Sequence, residues 1–454
     1  TCVMYDPIDF AERPWIGESG WPLAHAEYAS YLPAAAKLLD LVEPYDPTAY
    51  WDAFGVDLPA FDPAKLYFKT SQRTQPLRFG ERFRDDLATA PRTRVLLNAN
   101  VVDIVTTANA DHVESVTLRS FRGTVGKVTA RQFVVACGGI ENARLLLASR
   151  SVEPTGLGNR HDLVGRFFAD HPGMPLGEIV TADQGAVLDP IGGASFDRGG
   201  MRSRWFPLLT LSAELQERFE LPNSLVYIYA EQDPESGVDA TGKLLRAIKD
   251  GESAGEITDL AGQVLGNADD VAVAAWRRFV LGRRTIRNFT DLQLIIQIDP
   301  VPNPESRIML GAELDPLGMP RIELDLRVSE PESRGIKIMG EVVGAELARL
   351  GLGRVRLHEW VEKIGDGLWY DAYIGSATAE RFSHLELFGH HHHGTTRMAS
   401  DPRRGVVDGD CKVHGIDNLH VAGSSTFPTP GSGNPTLSIV AFALRLAEHL
   451  REKN

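Results

Sequence analysis

Apolar and polar positions along this chain change period several times, and each change marks an element. From Ala24 to Val42, Tyr28, Tyr31, Leu32, Ala35, Leu38, Leu39 and Val42 recur at helical spacing. That pattern predicts an amphipathic helix kinked at Pro33. Residues 43–78 follow neither period and read as irregular, and Gly80 to Ala90 reads as helix. Arg94–Leu97, Val101–Val105, Val113–Leu118 and Lys127–Ala130 read as strands of a short antiparallel unit.

A different signature follows. Phe133–Gly139 is an apolar run ending in two glycines, and Ile140–Leu147 continues as a helix. Such a strand–turn–helix presents backbone N–H groups and lets a ligand approach closely. A plain connection between strand and helix explains the turn equally well. Residues 156–173 are loop-like. Beyond them, strand-like runs at 224–229, 292–298 and 307–310 mix with helices near 255–282 and 331–350. Strands without regular helix alternation predict a mostly antiparallel sheet with helices on one side. The fold class expected is therefore α/β in the α+β sense.

Composition narrows the function. The 454 residues are 43% hydrophobic, enough for a large core and two or three domains. A net charge of −14 disfavours nucleic acid and anionic membranes as partners. No apolar run reaches the ~18 residues a bilayer span needs, and the first residues lack a signal-peptide pattern. Cys2, Cys137 and Cys411 are widely spaced and odd in number, which points to a reduced, cytoplasmic protein. The chain has GxG at Gly156, Gly351, Gly365 and Gly431, but none has glycine at the sixth position. It carries no P-loop, and the absence of GxSxG lowers a serine hydrolase.

The most informative stretch is His390–Leu446. Four histidines lead into Gly394-Thr395-Thr396-Arg397-Met398; Phe427-Pro428-Thr429 and Asn434-Pro435-Thr436 follow, then an apolar helix from Leu437. Consecutive histidines cannot all face one ion, and no Cys, Asp or Glu nearby in sequence completes a set, so no metal is expected. A neutral imidazole suits proton abstraction near pH 7. Spacing alone leaves a general base and a structural histidine equally open. The Asn434 loop reads either as a helix cap or as a helix start that favours a partly negative group.

Taken in order, these residues resemble the FAD-dependent glucose–methanol–choline (GMC) oxidoreductases. The resemblance rests on His391-His392-His393-Gly394-Thr395, Val406-Val407-Asp408, Val413 to Leu419, Phe427-Pro428-Thr429 and Asn434-Pro435-Thr436. Phe133–Leu147, Leu163–Arg166 with His171, Pro302–Leu310 and Ser19–Pro22 resemble further family segments, and residues 175–290 match least. The family's opening strand, GxGxxG and helix have no counterpart here, so an incomplete chain is expected.

The resemblance implies a GMC-like (p-hydroxybenzoate-hydroxylase-like) two-domain fold. Residues 1–85 would connect, 86–170 and 395–454 would form a Rossmann-type FAD domain from discontinuous segments, and 171–394 would bind substrate. It implies His391 as catalytic base and Asn434 as the hydrogen-bond partner of the substrate oxygen. FAD would meet Val101, Ala136, Cys137, Gly138, Gly139, Gly423, Ser424, Pro435 and Thr436. The activity implied is oxidation of a CH–OH group on a sugar, glycoside or natural-product alcohol, with oxygen or a quinone-like carrier as electron acceptor. Oligomerisation stays open. So do two other readings: a non-redox lyase on the same scaffold, and a chain that completes a flavin site with another polypeptide. The branch it resembles most has Met where His393 stands, which places that imidazole either at the pocket or in the interior.

Overall fold

The structure is a computed structural model that describes residues 2–41, 49–73, 77–198, 201–233, 236–281 and 289–453. Its largest element is a seven-stranded sheet in which every pairing is antiparallel. The strand order along its main path is Leu66–Arg73, Met201–Leu211, Ser224–Gln232, Phe289–Ile298, Gly173–Val180 and Arg354–Leu357. Ala194–Arg198 pairs with Met201–Leu211 off that path. The helix Glu330–Arg349 starts at a capping box, in which Ser329 and Glu332 satisfy each other's backbone N–H groups. Its buried face of Ile336, Met339, Val343 and Leu347 packs with Met174, Leu176, Leu294 and Ile296 of the sheet. The expected mostly antiparallel sheet and the helices at 255–282 and 331–350 are present, the former as Ala254–Gly266 and Ala268–Phe279; Gly282 lies outside the described residues.

A second core joins distant parts of the chain. Phe133–Val135 and Leu419–Val421 form a parallel pair, residue 133 opposite 419 and 135 opposite 421. The helix Gly138–Ala148 follows the first of them. The antiparallel strands Asn100–Thr106, Val113–Arg119 and Val125–Val128 stand beside this pair. Ile104, Val113, Val135, Leu146, Val407, Val413, Leu419 and Val421 make their common interior.

A third, aromatic core ties the first forty residues to the tail. The helix His25–Leu38 runs through Pro33 and buries Tyr28, Leu32, Ala35 and Ala36 against the long helix Thr436–Lys453; Val42, at the expected end, lies outside the described residues. Trp21 stacks on Phe10 at 4.5 Å and on Phe442 at 5.2 Å, with Phe427 fully buried beside them. Each such ring contributes about 1.5–3 kcal/mol on burial.

Two expectations fail for local reasons. Within 43–78, the described residues hold a helix at Ala49–Phe54 and a strand at Leu66–Arg73. The strand's buried positions include Lys69, Ser71 and Gln72, so the apolar alternation that would have revealed it is absent. Arg94–Leu97, in contrast, is not a strand, and Leu97 is 80% exposed. Strand propensity needs a partner edge, and none pairs with it among the described residues. A helix at Gly237–Asp250, capped by Ser236, adds to those the periodicity predicts.

Candidate active site

The four histidines face four directions. His390 is exposed and lies 3.2 Å from Glu386. The ring of His392 tilts against Phe168 and sits 3.7 Å from Asp170. His393 is fully buried, against Phe427 and the His171 ring, with its Nε2 3.3 Å from the Tyr5 hydroxyl. It is therefore an interior residue. Among the described residues, no group of three or more His, Cys, Asp and Glu gathers as metal ligands.

His391 meets Asn434. What places it there is the glycine of the motif. Gly394 has φ +82°, and a side chain on it would run into the Phe167 carbonyl. Thr395 then donates to the Gly139 carbonyl at 2.5 Å. Backbone N–H groups of Gly394, Thr396 and Met398 donate to the carbonyls of Ser424, Ser425 and Thr426. Asp170 Oδ1 accepts from the backbone N–H groups of His391 at 2.7 Å and His171 at 2.8 Å. Motif reading misses Asp170, whose role depends on a contact across 221 positions.

The proton positions follow from the hydrogen-bond chain. The Gly431 carbonyl, 2.7 Å from His171 Nε2, can only accept, so that nitrogen carries hydrogen. Burial, with His391 alongside, lowers the His171 pKa to about 3, so the ring is neutral and its Nδ1 is an acceptor. His391 Nδ1, 3.2 Å away, must donate to it. His391 is neutral as well, burial holding its pKa near 4. With its hydrogen on Nδ1, its Nε2 keeps a free lone pair, and the Asn434 amide donates to that lone pair at 2.6 Å. Tautomers assigned this way rest on the network as a whole. The outcome is an unprotonated imidazole nitrogen whose lone pair is held by an amide donor; once that amide turns to a substrate oxygen, the nitrogen is suited to taking a proton from a hydroxyl group.

The residues expected at the cofactor are grouped in part. Ala136 and Ala422 lie at the carboxyl ends of the two parallel strands, where ligands of open parallel sheets bind. Ala136, Cys137 and Gly138 are exposed. Gly138 has φ +91° with open space where a side chain would be. Gly423, at φ +109° and ψ 179°, occupies a region essentially reserved for glycine, with Asn142 Nδ2 4.0 Å from where its Cβ would be. Asn142 joins the two turns: it accepts from the Cys137 N–H and donates to the Ala422 carbonyl and the Ser425 hydroxyl. Gly139 is held against His392, where a Cβ would come within 2.5 Å. These open, glycine-lined turns fit a flat, partly negative group approaching the backbone. Pro435 is buried, and Thr436 is exposed at the first turn of the tail helix. The Ser424 hydroxyl is engaged by the His392 carbonyl at 2.6 Å. Val101 lies apart from the His391–Asn434 pair, on the antiparallel three-stranded sheet, packed toward the second core.

Comparison with known proteins finds a family likeness over the stretch that carries His391 and Asn434. Residues 302–443 match the family model described as GMC oxidoreductase. The chain is 28% identical to paromamine 6'-oxidase of Streptomyces fradiae over 74% of its own length and 49% of that protein's. It is 26% identical to 6'''-hydroxyparomomycin C oxidase of Streptomyces lividus, over 72% of this chain and 47% of that one. The large subunit of fructose dehydrogenase of Gluconobacter japonicus is 26% identical over 71% of this chain and 47% of its own. The chain thus spans about half the length of the curated relatives it matches. Among the described residues no helix is long and apolar enough to cross a membrane. The stretch that carries both His391 and Asn434 lies within residues 302–443, which match the GMC oxidoreductase family model.

Proposed function

We propose that this chain belongs to an FAD-dependent oxidoreductase that oxidises a CH–OH group of a sugar, glycoside or related natural-product alcohol to a carbonyl. The observation that carries the reading is the His391–Asn434 pair, with an unprotonated Nε2 facing an amide donor. Two relatives are named as oxidases of paromamine and of a hydroxyparomomycin, and a third as a fructose dehydrogenase, which supports a carbohydrate-like alcohol. Oxygen or a quinone-like carrier would take the electrons.

FAD, when bound, would supply the hydride acceptor. In this chain Ala136–Gly139, Gly423, Ser424, Pro435 and Thr436 would hold it, with Val101 farther out. His391 Nε2 takes the hydroxyl proton. Asn434 then donates its amide hydrogen to the substrate oxygen, which orients the reacting carbon. His171 keeps His391 in the competent tautomer by accepting from Nδ1. In this reading residues 86–170 and 395–454 serve the cofactor, residues 171–394 serve the substrate, and the protein works in the cytoplasm, its three cysteines unpaired.

Spectroscopy of the purified protein tests the proposal. Flavin bands that bleach anaerobically on addition of members of an alcohol, sugar and aminoglycoside panel are the expected result. Bands that persist under every member while product forms would replace the oxidation reading with non-redox chemistry.

A further inference from the structure

Beneath the Asn434 loop lies a buried charged cluster that the proposed chemistry does not touch. Lys69, on the edge strand Leu66–Arg73, is 3% exposed. Its Nζ is 2.8 Å from Asp6 Oδ2 and 3.8 Å from Asp9 Oδ2, and it donates to Ser432 Oγ at 3.2 Å. Burial pulls the ammonium toward neutrality, but the Asp6 and Asp9 carboxylates outweigh it and hold its pKa above the ordinary lysine value.

Ser432 is gripped from three sides. Asn223 Nδ2 also donates to its Oγ, at 3.2 Å, and bonds Asp9 Oδ1 at 2.9 Å. Asn223 is oriented in turn by Thr210 and Gln216, both donating to its Oδ1. Gln297 Nε2 donates to the Ser432 carbonyl at 3.1 Å. The glycines on either side have no side chain to anchor them: a Cβ on Gly431 would press on the Tyr5 ring and one on Gly433 on Val3. The orientation of the loop is therefore set at Ser432. One residue before it is the Gly431 carbonyl that fixes the His171 tautomer, and two residues after it is Asn434.

We propose that Lys69 is a positioning residue: through Ser432 it holds the Gly431 carbonyl and the Asn434 amide in register, and so keeps the His391 hydrogen on Nδ1 with Nε2 free. This rests on the reading of His391 as the base. A lysine costly to bury is retained here because its two carboxylates and the serine hydroxyl satisfy it, and the cluster links the large sheet to the catalytic loop.

The test uses the full chain with its bound cofactor and four variants. Nitrogen-15 NMR of labelled histidines reports each tautomer without turnover, with the His391 signal assigned by its loss in His391→Gln. The native protein should show His391 hydrogenated at Nδ1. Ser432→Ala, which removes only the hydroxyl, should give a mixed tautomer and lower kcat about tenfold with KM within threefold. Lys69→Met should act in the same direction and more strongly, while Lys65→Met, an exposed ion pair just before the same strand, should match the native protein. A Ser432→Ala protein with the native tautomer and native kcat would overturn the proposal, even if Lys69→Met fails to fold. Absence of alcohol oxidation in the native protein would instead refute the oxidase reading and leave the tautomer result to decide this one.

Discussion

The two faces of the candidate site are built in opposite ways. On the His391 side nearly every polar group is engaged: both ring nitrogens of His391 and His171, the Asn434 amide and the Ser432 oxygens all have partners. On the Ala136–Gly139 side three consecutive residues are exposed, and Gly138 turns toward open space. The first face fixes proton positions before anything binds, which is where preorganisation contributes most to catalysis. The second leaves backbone free to receive a partner. In the proposed function the difference gives chemistry to one face and holding to the other.

The largest expected break of this comparison is on the chemical face. His391→Gln should lower the rate of anaerobic flavin reduction by alcohol by about 10²–10⁴-fold, with bound flavin unchanged in the absorption spectrum. A variant reduced at the native rate would remove His391 as base.

Next is the receiving face. Gly423→Ala forces a side chain into φ +109°, a strain of about 1–3 kcal/mol. Flavin affinity should fall between about fivefold and a hundredfold in a fluorescence titration, while the tautomer of His391 stays native. Loss of the tautomer as well would mean that the two faces are not separable.

A third prediction concerns acid. His171 and His391 have folded pKa values near 3 and 4, and His393 lies well below the ordinary value, burial being the main cause in all three. Below their unfolded value of about 6.5 the unfolded chain binds protons that the folded chain refuses, so stability falls as pH drops from ~6.5 toward ~3. His393→Met removes one such group but leaves the Tyr5 hydroxyl without its partner. Denaturant melts should show the variant weaker at pH 7, and the gap to the native protein should narrow as the pH falls from about 7 to about 5. A gap that stays constant would mean that His393 titrates normally in the fold.

The smallest effect is expected at Cys137. Its thiol is exposed, and Asn142 accepts from its backbone N–H. Cys137→Ser should leave flavin affinity and turnover within about twofold, since the turn works through its backbone; a larger loss would give the side chain a role on the receiving face.

Residues whose meaning is local are legible in the sequence alone. The helix at 331–350, the strands at 224–229 and 292–298 and the turn at 133–139 each carry their own periodicity or punctuation. The ordered motifs from His391 to Thr436 point to the family whose model matches 302–443. Elements whose stability comes from elsewhere are not legible in that way. The strand at 66–73 hides behind a buried lysine, and Arg94–Leu97 has strand-like residues but no partner edge among those described.

The sequence by itself narrowed the candidates for the chemistry, because the ordered motifs from His391 to Thr436 resemble a family pattern that singles out one histidine and one asparagine, where spacing alone left base and structural histidine equally open. Only the tertiary structure decided what state His391 is in. Its tautomer depends on His171, on the Gly431 carbonyl and on Ser432 held by Lys69, groups hundreds of positions apart. Proton placement in a buried network is a property of all its members at once, so no local pattern encodes it.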